Sequence, residues 1–135
     1  MQHYVSTRDP EHRVLLSQAL ANGIAPDGGL YVPERFPHFV ARQFEGVEEL
    51  PDVATRLLTP FADGDPLASE LGAICKEAFN FPAPLVPLEQ APGPASVLEL
   101  FHGPTSAFKD FGARFLAACL ERIRRGAERK LTILV

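Results

Sequence analysis

No stretch of this 135-residue chain approaches the run of about 18 apolar residues that a membrane-spanning helix requires, so no span is expected. Positive charge is also short. Thirteen Lys and Arg stand against 17 Asp and Glu, a formal charge of −4, whereas a general nucleic-acid binder needs a net basic surface. Cysteine is scarce: Cys75 and Cys119 each fall in an apolar helical pattern, and no CxxC or Cys/His cluster is present to hold a metal. Both read as buried reduced thiols, the usage of a cytoplasmic protein. The opening MQHYVSTRDPEHR lacks an apolar segment and is not expected to be a secretory signal. PDGG at 26–29 lacks the G-x-G-x-x-G spacing of a phosphate cradle and reads as a turn. Asp63 and Asp65 in ADGD lack the later ligands of a calcium loop and read as a loop residue and a helix cap. What is present is a 46% apolar composition, enough to bury a core in a chain about the size of one domain.

Along the chain, Tyr4 to Thr7 is β-favouring and reads as an edge strand. Asp9-Pro10-Glu11 has the chemistry of a helix start: an N-cap acid, proline at the first helical position and an acid in the first turn. Leu15, Leu16, Ala19 and Leu20 recur at helical spacing, and Asn22-Gly23 ends that helix. After the PDGG turn, Leu30 to Val32 is a short strand. A helix is expected over Asp52 to Leu58, closed by Pro60, and another after Asp65-Pro66 with Leu67, Leu71, Ile74 and Ala78 inward. Residues 81–95 carry five prolines and read as an extended crossing segment at a domain boundary. Tyr4 and Tyr31 read as packing residues.

Beyond the boundary, Val97 to Phe101 predicts a strand, HGPTS a loop, and Ala107 to about Arg125 a helix. Phe108, Phe111, Phe115, Cys119 and Ile123 share one side of that helix. Arg122, Arg124 and Arg125 at its end read as a solvated helix terminus rather than a binding patch. Leu131 to Val135 has the continuous apolar character of a buried parallel strand, giving a right-handed βαβ unit. Two parallel strands do not complete a domain, so the chain is expected to be cut short.

Lys109 stands in the first turn of the expected helix, directly after the loop His102 to Ser106 that leaves the strand's carboxyl end, where ligands gather in open α/β sheets. Helix N-termini offer free N–H groups to anions, and Gly103 permits close approach. The positive end of the helix and the rings of Phe108 and Phe111 favour the neutral amine that Schiff-base chemistry needs, while Asp110 opposes it. A lysine at a helix start is ordinarily a solvated side chain, and the residues alone leave both readings open. His102 either lines an entrance or caps the strand end through a backbone hydrogen bond.

The segment ELFHGPTSAFKDFGARF resembles the lysine segment of threonine synthases, enzymes of the tryptophan-synthase-β-like fold that use pyridoxal 5′-phosphate. STR at 6–8, PDGGLYVPE at 26–34 and FNFPAPLVPLE at 79–89 resemble that family's N-terminal region in the same order. Ser106 stands where the family often has leucine, Ala113 where glycine is usual, and Asp9 replaces a common glycine. The resemblance implies an α+β N-terminal module over residues 1–95. It also implies that residues 96–135 open an incomplete α/β catalytic domain of the pyridoxal-phosphate-dependent fold type II, starting with its first β-α-β. It implies a carbon–oxygen lyase acting on phosphate, with pyridoxal phosphate held as a Schiff base on Lys109. O-phospho-L-homoserine and water would become L-threonine and phosphate, and Thr105 and Ser106 would donate hydrogen bonds to the substrate carboxylate or phosphate. No metal, nucleic acid or membrane is implied, and the oligomeric state is left open. Because the family holds the cofactor's phosphate and ring with groups beyond Val135, the 135 residues alone are expected to be inactive. Two other readings stay open: a threonine-synthase-like phospho-lyase, and a non-catalytic docking or interface module if the chain ends naturally at Val135.

Overall fold

The computed structural model describes residues 1–90 and 92–127. A small antiparallel sheet is formed by β1 (Tyr4–Ser6), β2 (Arg13–Val14) and β3 (Tyr31–Pro33), in the order β2-β1-β3. Tyr4 to Ser6 is therefore the central strand and not an edge: Tyr4 faces Val14 on one side and Pro33 on the other. Its neighbours are supplied from later in the chain, which its own residues do not announce.

Asp9-Pro10 does not start a helix. The Asp9 carboxylate accepts from Glu11 N at 3.0 Å and its carbonyl from His12 N at 3.2 Å, closing a turn that leads into β2. Cap and turn draw on the same residue chemistry, and here the turn wins. Helix α1 (Leu16–Asn22) begins seven positions beyond Asp9, with Gln18 Oε1 accepting from Leu15 N at 2.9 Å. It ends at Gly23, whose φ of 71° is the left-handed conformation that glycine supplies cheaply.

Helix α2 (Leu50–Leu58) has proline in its first turn and runs into a 3₁₀ turn, Thr59–Ala62, that starts around Pro60. A second 3₁₀ turn, Pro66–Glu70, leads into α3 (Leu71–Ala78). Leu67, Leu71, Ile74 and Ala78 are all buried, as their spacing predicts. Strands β4 (Leu85–Pro87) and β5 (Ser96–Leu98) form a separate antiparallel ribbon within and after the proline-rich segment. The expected strand over Val97 to Phe101 thus shortens, and its partner among the described residues is antiparallel β4. The expected strand Leu131 to Val135, and with it the parallel βαβ unit, lies outside the described residues.

Helix α4 (Lys109–Ile123) packs across α1 and α3. One side of the core holds Ala54, Ala62, Leu71, Cys75, Ala78 and Phe79, with Phe111 and Phe115 laid against it. The other holds Leu67, Ile74, Ala118 and Cys119. Phe108 departs from the expected buried side and is 68% exposed, because it precedes the helix proper. The arginines at the end of α4 are not a bare solvated terminus. Arg122 bonds Glu77 at 2.6 Å and lies 3.6 Å from Glu70, and Arg125 reaches Glu70 at 2.9 Å, so both tie α4 to α3 and its approach.

Asp65 joins two of these pieces. It is buried, its Oδ1 accepts from Leu67 N at 2.8 Å and its Oδ2 from Ser17 N at 2.7 Å, so one carboxylate caps both the second 3₁₀ turn and α1. Close by, buried Tyr4 donates its hydroxyl to Phe61 O at 3.1 Å, and burial followed by the Asp65 charge pushes its pKa up to about 12. Asp65→Ala removes both charge-assisted bonds and is expected to cost about 3 kcal/mol, read from the midpoint of urea unfolding.

Cys75 and Cys119 are both free thiols and fully buried. Burial is the main cause that raises Cys119 from 9.0 to about 12, and burial also raises Cys75. Iodoacetamide at pH 8 should leave both unmodified in the folded chain and alkylate both in denaturant. Because the folded thiol keeps its proton where the unfolded one loses it, the Cys119 contribution to stability is intact below about pH 9. It falls as pH rises toward 12.

Candidate active site around Lys109

The segment after β5 runs into a clasp formed by one side chain. Ser106 N donates to Gly103 O at 3.0 Å, closing a turn with Pro104 at its second position, where the fixed φ of proline suits it. Gly103 and Asp110 are buried, whereas His102, Pro104, Thr105, Ser106, Phe108 and Lys109 are exposed. Asp110 Oδ2 accepts from both Thr105 N and Thr105 Oγ1 at 2.9 Å. A Cβ added to Gly103 would stand 2.4 Å from that same oxygen and 2.7 Å from Asp110 Cβ, so glycine is required by this contact. Ser106 follows at φ 54°, the one non-glycine residue with positive φ among those described. A serine in that region carries strain of order 1 kcal/mol, and such strain collects at functional sites.

Lys109 is the first residue of α4, at the helix start as its sequence position predicts, and is exposed. Its amine makes no ion pair or hydrogen bond with any described residue, and neither does the Ser106 hydroxyl. The Thr105 hydroxyl proton, by contrast, is given to Asp110. His102 neither caps the strand through the backbone nor stands alone: its Nε2 meets Glu99 Oε2 at 2.6 Å, and its ring lies 4.6 Å from that of Phe101. Residues 99–102 are not helical, so the three-residue spacing of Glu99 and His102 carried no signal for this pair.

The body of α4 is held firmly. Phe115 stacks on Phe79 at 5.9 Å, and Phe111 meets Phe81 edge-on at 5.0 Å. The Arg114 fork donates to Ala78 O at 2.8 Å, Glu77 O at 3.1 Å and Asn80 Oδ1 at 2.9 Å, satisfying the last carbonyls of α3. An apolar groove of about 910 Å³ bordered by Leu50, Phe79, Phe81, Leu98 and Phe111 lies two residues on from Lys109, which does not line it.

STR and PDGG meet each other, and among the described residues their hydrogen bonds do not run to this loop. Ser6 Oγ donates to the Asp27 carboxylate at 2.8 Å, Gly29 N donates to Asp27 Oδ1 at 2.8 Å, and Arg8 reaches Asp27 O at 3.0 Å. The Gly29 and Ser6 bonds hold the Asp27 carboxyl below the usual carboxylate range. PDGG is thus the turn its residues predict. The residue that sequence reasoning undervalued is Asp110, read there only as a charge beside Lys109. Its bonds to Thr105 are carried by a loop geometry that spacing does not encode.

The fold is that of the N-terminal region of threonine synthases. A pyridoxal-phosphate-bound threonine synthase from Brucella melitensis superposes with a TM-score of 0.80 at 37% identity, over 93% of this chain and 28% of that one. The Escherichia coli threonine synthase structure gives 0.78 at 32% identity, over 91% and 28%. The curated threonine synthase of Haemophilus influenzae is 42% identical over 129 residues, covering 94% of this chain. The family described as threonine synthase N terminus matches residues 3–79, and the chain belongs to it. The chain spans about 29% of the length of the curated relative from Haemophilus influenzae.

Gly103→Ala should displace the Asp110 carboxylate and lower the thermal midpoint, at a cost of about 1–3 kcal/mol. Gly112→Ala, within α4 and with open space at its added methyl, should leave the midpoint unchanged or raise it.

Proposed function

We propose that this chain is the N-terminal part of a threonine synthase, converting O-phospho-L-homoserine and water to L-threonine and phosphate, with Lys109 as the residue that binds pyridoxal 5′-phosphate. On this reading residues 1–95 form the N-terminal module, and residues 96–135 open a fold type II catalytic domain. The observation that carries it is the Lys109 amine: exposed at the first position of a well-anchored helix, without a partner among the described residues, and preceded by a loop strained at Ser106.

The donor set fits the cofactor. Carbonyl condensation needs a primary amine without a salt-bridge partner, and the anionic groups of cofactor and substrate need donors that are not already spent. Lys109 Nζ supplies the first and the Ser106 hydroxyl one of the second. When bound, pyridoxal phosphate supplies an electron sink for the carbanion at the substrate's Cα. The Lys109 amine would move protons at the substrate's Cα and then at Cβ. Ser106 donates to the substrate carboxylate or phosphate, while Thr105, its proton committed to Asp110, serves by shaping the turn. The relative from Brucella melitensis, described as pyridoxal-phosphate-bound, supports the choice of cofactor.

Borohydride reduction of the full-length protein with pyridoxal phosphate, followed by peptide mapping, should label Lys109 stoichiometrically. Lys109→Ala should remove the cofactor's visible band and lower turnover by about 10³-fold or more. Turnover that survived this change would sink the assignment. Formation of phosphate without threonine would leave Lys109 in place and make the protein a phospho-lyase.

A further inference from the structure

Lys109 must be aimed as well as free, and the helix end that carries it has little else to fix it. Phe108, at the N-cap position, gives no side-chain bond to the first turn. Asp110 is the next residue along. Successive residues on a helix project about 100° apart, so fixing the direction of one side chain fixes that of its neighbour. Asp110 is fixed: 5% exposed, with Thr105 N and Oγ1 each 2.9 Å from Oδ2 and Gly103 pressed against it. No salt bridge to Asp110 occurs among the described residues, so its charge is held by these donors and by the positive end of α4.

We propose that Asp110 is a positioning residue: by clamping the Gly103–Ser106 turn to the first turn of α4, it sets where the Lys109 amine emerges relative to Ser106. Thr105 is the other half of the clamp and acts through Asp110. This inference rests on the reading of Lys109 as the cofactor-binding lysine. The clamp couples three exposed groups to one buried anion. Loss of the anion frees the turn to separate from the helix start and lets the first helical residue, Lys109, fray. Ser106 would then relax from its positive φ. The core contacts of Phe111, Phe115 and Cys119 lie further along α4 and need not change.

The test is the rate at which borohydride traps pyridoxal phosphate on Lys109 in the full-length protein, well below each variant's melting midpoint. The variants are Asp110→Ala, Asp110→Asn, Thr105→Val and the double Thr105→Val/Asp110→Ala. Displacing a reacting amine by a fraction of an ångström to an ångström should slow trapping about tenfold in Asp110→Ala and about threefold in Thr105→Val. The double variant should be no slower than Asp110→Ala, because the two changes remove one shared contact. Asp110→Asn, whose amide oxygen still accepts from Thr105 N, should recover most of the rate. Trapping at the wild-type rate in Asp110→Ala, whatever its loss of thermal stability, would overturn the inference and reduce Asp110 to a fold element. If that variant does not fold, an unchanged rate in Thr105→Val overturns it equally. Absence of label on Lys109 in the wild type would instead overturn the cofactor-site reading itself.

Discussion

A buried carboxylate on which two helical segments begin holds this fold together. Asp65 cannot be left in an apolar interior without donors, and α1 and the turn before α3 cannot begin without acceptors for their free N–H groups. Each need meets the other at one residue, and the arrangement places residues 17 and 67 within reach of the same side chain. The core between α1, α3 and α4 then closes around Ile74 and Cys119, both fully buried. Leu16, one residue before Ser17, is packed against both halves of that core. The capping geometry and the apolar packing therefore support each other.

The same device recurs where the chemistry is proposed. Asp65 ties helix to helix, Asp27 ties the PDGG turn to β1, and Asp110 ties a loop to the helix that follows it. All three are aspartates accepting from backbone N–H groups. Each short aspartate side chain holds a backbone N–H of its own segment, Leu67, Gly29 or Thr105, with little rotamer entropy lost. Asp65 and Asp27 use the remaining acceptor capacity to reach Ser17 and Ser6 from distant parts of the chain. The protein thus spends its acidic excess partly on internal joints.

Much of this was legible from local chemistry. Gly23 ends α1, Leu67, Leu71, Ile74 and Ala78 line one face, the PDGG turn stands where proline and glycine put it, and Lys109 opens its helix. Each depends only on residues within a turn or two. The misreadings share the opposite character. Tyr4–Ser6 became a central strand because Arg13–Val14 and Tyr31–Pro33 flank it, and Arg122 was drawn off the solvent by Glu77, 45 positions earlier. Asp9-Pro10 failed differently, since its residues suit a turn as well as a cap and only the tertiary fold chooses. The family resemblance was legible in motifs that turn out to serve two ends. STR and PDGG close a joint on each other, whereas HGPTSAFKD builds the loop and helix start around Lys109.

Arg114 gives α4 the mechanics of a cantilever. Its planar fork bolts the helix to the end of α3 through three acceptors five residues from Lys109, and Phe111 on Phe81 props the stretch between. At 1.5 Å per residue the arm is about 7.5 Å, so a tilt of about 10° at the bolt would swing the lysine backbone by about 1.3 Å if that prop gave way. A lysine at position 114, with a single rotating ammonium in place of the fork, would hold the same charge but act as a pivot. The aim of the amine is thus governed partly by the trueness of a joint one and a half helical turns away, on a residue that need never touch a ligand.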